Sequence, residues 1–62
     1  MDFLAALRDT FKGKRVRREA WPGGKYIEYD PVSHSVYEKG GDNYTYVVTK
    51  ADVLATDWLI LE

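Results

Sequence analysis

The chain of 62 residues contains no cysteine. That excludes a disulfide scaffold, a thiolate nucleophile and every cysteine-ligated zinc site. It has a single histidine, His34, with no partner of the usual zinc-ligand type nearby. No apolar run approaches the roughly 20 residues of a membrane span, and the N-terminus lacks a signal-peptide pattern. The expectation is therefore one soluble, intracellular domain, 1–62. A domain this small buries only about 60% of the surface its unfolded chain exposes, so it needs help to be stable. With disulfides and metals excluded, self-association remains, and nine aromatic residues supply contact surface. A homo-oligomer is expected.

Strong net charge is also missing: the total is −1. That argues against binding a nucleic acid polymer, which scales with the phosphates neutralised. The near-neutral total hides an asymmetry, however. Residues 1–25 carry seven basic and three acidic side chains, and residues 26–62 carry two and seven, giving halves of +4 and −5. Such halves can pair with each other, within one chain or between subunits, or can offer a local basic patch to an anion.

What is present reads as an α+β fold. Phe3, Leu7 and Phe11, with Leu4 beside them, mark one face of a helix over residues 3–12, with Asp2 as N-cap and Gly13 as stop. Arg15 to Arg18 is a short strand with Val16 inward, and Pro22-Gly23-Gly24 turns the chain. Lys25 to Tyr29 is a strand with Ile27 and Tyr29 on one face and Tyr26 and Glu28 on the other. Asp30 to His34 is a turn, Ser35 to Glu38 a strand, Gly40-Gly41-Asp42 a hairpin turn, and Asn43 to Val48 a β-rich segment. Thr49 caps a short helical turn through Ala55, Asp52 favouring its exposed amides, and Trp58 to Leu61 is a terminal strand. The expected architecture is one N-terminal helix packed on a small, mostly antiparallel sheet of four to five strands, with a short helical turn before the last strand.

Two segments carry candidate chemistry. Lys12, Lys14, Arg15, Arg17 and Arg18 are either a solvated strand edge or an anion-binding run, with Arg18 the foremost because Trp21 follows it closely. Trp21, before Pro22-Gly23-Gly24, either closes the core or offers a stacking platform for a base. Asp57 either bonds backbone amides or accepts from an adenine amine or ribose hydroxyls, with Trp58 alongside. The five tyrosines divide between cross-strand pairs and a subunit interface. A P-loop is excluded, because Gly13-Lys14-Arg15 lacks its spacing. Without a nucleophile–base constellation or a metal cluster, an enzyme is not expected, nor is a cofactor. The sequon Asn43-Tyr44-Thr45 is read as chance.

In order, Phe3-Leu4-Ala5-Ala6-Leu7, Gly13-Lys14-Arg15-Val16-Arg17-Arg18, Trp21 and Asp52-Val53-Leu54-Ala55-Thr56-Asp57-Trp58 resemble the phage-encoded Thoeris anti-defence family of the second type. The resemblance spans nearly the whole chain. It implies a non-enzymatic sponge in the host cytoplasm, assembled as a homo-oligomer, dimer or tetramer. The implied ligand is a cyclic nucleotide signalling molecule, a cyclic ADP-ribose isomer or a cyclic oligonucleotide, held between subunits. Arg18, Trp21, Asp57 and Trp58 match the motif positions, and Tyr26 and Thr56 complete the candidate ligand-binding set. Many members have a longer stretch before the final motif than Ser35 to Lys50 here, which leaves the ligand's identity open. The alternative is a small inhibitor that binds a host defence enzyme through acidic residues of 26–62 or an exposed tyrosine face.

Overall fold

The computed structural model describes residues 1–40 and 45–61. The elements are α1 (Phe3–Phe11), β1 (Arg15–Arg18), β2 (Tyr26–Asp30), β3 (Ser35–Lys39), α2 (Lys50–Leu54) and β4 (Trp58–Leu61). The strands form one sheet ordered β3-β2-β1-β4, and every pairing is antiparallel. α1 lies across one face, touching β1, β2 and β4. This is the α+β fold expected, with four strands.

Local chemistry sets the helix ends. The Asp2 carboxylate accepts the Ala5 N–H at 2.9 Å, occupying one of the donors a first turn leaves open. Lys12 is the C-cap, and Gly13 follows at φ +96°, a conformation that side chains resist. Thr49 caps α2 in the same way, its hydroxyl accepting the Asp52 N–H at 3.2 Å.

The face α1 turns inward is not the one its large apolar residues mark. Ala6 and Thr10 are buried, with Phe3 packed beside them, whereas Leu4 is 70% exposed and Phe11 53%. The reason is size. The sheet already presents Val16, Ile27 and Trp58 to the helix, each at most 1% exposed, so close approach needs small residues on the other side. Thr10 tolerates burial because its hydroxyl donates to the Ala6 carbonyl at 2.8 Å.

Register places the core. Val16 faces Ile27 on one side and Ile60 on the other, and Arg18 faces Trp58, so all five project toward α1. Arg15, Arg17 and Tyr26 lie on the far side, where the Arg15 guanidinium sits 5.5 Å from the Tyr26 ring centre. Among the described residues, Thr45 to Val48 of the expected β-rich segment do not form a fifth strand. Thr45 makes a single bridge to Tyr37 and Tyr46 donates its N–H to Val36, after which the chain leaves the edge for α2. Gly41, Asp42, Asn43 and Tyr44, including the expected hairpin turn and the sequon asparagine, lie outside the described residues. Gly40, at φ +76°, rests against the Gly24 backbone so closely that a Cβ would overlap the Gly24 carbonyl. The turn carrying Trp21 is thus seated on the end of β3.

Candidate functional site

The end of β1, the start of β4 and α2 meet at one corner of the helix-facing side. Alternation along β1 brings Arg18 there, opposite Trp58. The Arg18 Nε donates to Asp57 Oδ1 at 2.9 Å and its Nη1 to Asp52 Oδ1 at 3.2 Å. Asp57 Oδ2 accepts the Ala20 N–H at 3.1 Å, and the Asp57 carbonyl accepts that of Glu19 at 3.0 Å. Asp52, only 5% exposed, accepts the Tyr46 hydroxyl at 2.9 Å, and its carbonyl accepts the Trp58 indole N–H at 3.2 Å. One guanidinium therefore joins two carboxylates that flank the entrance of the chain into β4.

The titration behaviour follows from these bonds. The hydrogen bond from Arg18 holds the Asp57 carboxyl below its ordinary range, against the opposing effect of desolvation. The same bond raises Arg18 above its ordinary value. Burial pushes the Tyr46 phenol up, and donation to the Asp52 carboxylate adds to it. Among the described residues no buried side-chain nitrogen or oxygen lacks a hydrogen-bond partner. The network is closed upon itself.

Trp58 lies within the core at 1% exposure, packed against Phe3 at 5.7 Å and Trp21 at 5.2 Å. Trp21 is half-buried and meets Trp58 edge to face, with interplanar angle 79°, while Tyr46 flanks it at 6.3 Å. The Lys25 ammonium stands 4.6 Å from the Trp21 ring centre and pairs with Glu38, 3.4 Å away. The backbone here is held from the far side of the sheet, since Arg17 Nη2 donates to the Trp21 carbonyl at 2.7 Å. The Trp21 N–H donates in turn to the Arg18 carbonyl. The result is a fixed aromatic ring with a cation beside it.

Of the six candidates, the fold brings Arg18, Trp21, Asp57 and Trp58 together. Thr56 is exposed beside Asp57, its carbonyl accepting from the Met1 amine at 3.2 Å. Tyr26 is on the opposite side of the sheet, under Arg15. The sequence did not single out Tyr46, Lys25 and Glu38 for this corner, and it gave Asp52 only a helix-capping role. Its one usable signal was the charge asymmetry: Arg18 with Asp52 and Asp57, and Lys25 with Glu38, all pair across the two halves. Among the described residues there is no cluster of three metal-ligating side chains, and no helix is long and apolar enough to cross a membrane.

Comparison with known proteins gives a family match. A family model described as Tad2-like, the Thoeris anti-defense 2-like domain, matches residues 1–61. No curated protein and no solved structure matches the chain.

Proposed function

The chain belongs to the Thoeris anti-defense 2-like family, and from that premise we propose that it is a sponge for a cyclic nucleotide immune signal. It binds a cyclic ADP-ribose isomer or a cyclic oligonucleotide in the host cytoplasm and holds it without cleaving it. The observation that carries this reading is the Trp21 ring. It is partly exposed, backed by Trp58 and Tyr46, and has the Lys25 ammonium at 4.6 Å. A base stacks on the part of the indole left uncovered, beside the Lys25 ammonium that Glu38 holds over the ring. Arg18 is engaged by two carboxylates, so its part is to hold the corner that presents Trp21.

Magnitudes favour more than one chain per ligand. Stacking contributes about 1–3 kcal/mol per base, whereas micromolar affinity needs about 8 kcal/mol. A second copy, closing over the base and adding its own cations, supplies the remainder. The working form is accordingly a homo-oligomer, dimer or tetramer, with ligands between subunits.

The test is titration calorimetry against cyclic ADP-ribose isomers and cyclic di- and trinucleotides, followed by release of bound nucleotide by heat and mass spectrometry. Micromolar or tighter binding and an intact released nucleotide are expected. No binding across the panel defeats the sponge, and a cleaved product defeats its non-enzymatic character. Trp21→Ala should weaken binding at least about tenfold with a cooperative thermal melt retained.

A further inference from the structure

Among the described residues, hydrogen bonds and ion pairs engage most carboxylates and leave several cations unengaged. Asp2 and Asp30 bond backbone amides, Glu28 and Glu38 pair with Lys39 and Lys25, and Asp52 and Asp57 pair with Arg18. Among the described residues only Asp9 and Glu19 keep carboxylates with no hydrogen bond or ion pair. By contrast Arg8, Lys12 and Lys14 are exposed and have neither. The Lys14 N–H donates to the Asp9 carbonyl, folding Lys14 back against the last turn of α1.

These cations border an apolar stripe. Leu4, Leu7 and Phe11 are spaced i, i+3, i+7 on α1, with Leu4 and Phe11 more than half exposed and Leu7 half-buried. Arg8 and Lys12 follow next around the helix. Phe11 is held edge-on against Tyr29 at 5.0 Å, a fixed ring suited to insertion into a pocket. An exposed apolar centre with a charged rim of one sign is the anatomy of a protein–protein interface.

We infer that this shoulder of α1 docks a foreign protein that presents an apolar helical face rimmed by carboxylates. Charge complementarity selects that occupant over a second copy. A two-fold axis through the middle of the stripe sets Arg8 beside Arg8, and among the described residues only Asp9 and Glu19 offer unengaged carboxylates for a head-to-tail contact. A nucleic acid is disfavoured because three cations neutralise few phosphates and the apolar residues gain nothing from a backbone.

Two synthetic amphipathic helical peptides with the same leucine stripe, one flanked by glutamates and one by lysines, provide the probe, followed by amide chemical shifts of the full chain. The glutamate peptide should shift Leu4, Leu7, Arg8, Phe11 and Lys12, lose at least about tenfold in affinity when salt rises from about 0.05 M to about 0.5 M, and leave the lysine peptide inert. The exposed pair Arg8→Glu with Lys12→Glu should reverse that preference, and a dichroism melt checks that the variant folds. Equal binding of both peptides, or shifts elsewhere on the molecule, overturns the inference. So does loss of self-association in Phe11→Ser, or tighter binding of an RNA oligonucleotide at the same residues. None of these outcomes depends on whether the Trp21 corner holds a nucleotide.

Discussion

The two ends of the helix-facing side use charge in opposite ways. At the Arg18 corner Asp52 and Asp57 each meet a base or an amide, and packed aromatic rings seal it from behind. At the α1 shoulder Arg8, Lys12 and Lys14 face water beside Leu4 and Phe11. The first arrangement builds a scaffold and the second builds a surface. A formula charge of −1 describes neither: Glu38 and Asp52 are buried on partners and Asp57 is held by Arg18, while the cations at that shoulder stand exposed. Counting charged residues therefore misjudges the partner unless the pairing is known.

Substitutions can test how sharp that division is. The largest effect is expected at Trp58, where alanine removes a fully enclosed indole at a cost of about 3–5 kcal/mol. A domain of this length has only about 0.05–0.15 kcal/mol per residue in hand, so Trp58→Ala should be unfolded by circular dichroism at 25 °C. Next comes Asp52→Ala, which strands the Tyr46 hydroxyl and half of the Arg18 contacts and should lose about 3 kcal/mol in urea titration. Asp52→Asn keeps the acceptor and should lose less.

A smaller, pH-dependent effect belongs to Asp57. Its carboxyl is depressed in the folded state, chiefly by Arg18, so its contribution is complete above the unfolded value of about 4. That contribution is lost as pH falls through the depressed folded value. Melting temperature should decline over that window, and the decline should flatten in Arg18→Gln. Tyr46 gives the alkaline counterpart: its raised phenol stabilises the fold below about pH 10, and the contribution fades as pH rises beyond. Smallest of all, Arg8→Gln and Lys12→Gln should change stability by less than about 0.5 kcal/mol, since nothing in the chain depends on them. A larger loss there would erase the distinction between scaffold and surface.

Features set by neighbouring residues were legible in the sequence. Asp2, Gly13 and Thr49 act over a few positions, and β1 and β4 begin and end where alternation and apolar content place them. The helix rotation was not legible, because hydrophobic periodicity weighs Leu4 and Phe11 as heavily as it neglects Ala6 and Thr10. Packing against a sheet already filled by Trp58 and Ile27 rewards small size instead. For the site, β2 alternation already set Tyr26 against Ile27, and register with β1 then separates it from Arg18. Asp52 was read as a cap acid, which its backbone amide satisfies, while its carboxylate serves contacts from residues six and thirty-four positions away. Those partners depend on the closed sheet and have no local signature.

The edge-to-face contact of Trp21 and Trp58 has an optical consequence. Two indoles with centres 5.2 Å apart and planes at 79° share their excited states, so the folded chain should show an exciton couplet in its circular dichroism. Trp58, shielded from water, sets the blue edge of the emission, and partly exposed Trp21 sets the red. A base laid on Trp21 would quench the red component and leave the couplet in place, whereas unfolding would abolish the couplet. The molecule thus carries its own two-channel spectroscopic reporter, one channel for occupancy and one for integrity, without any added dye.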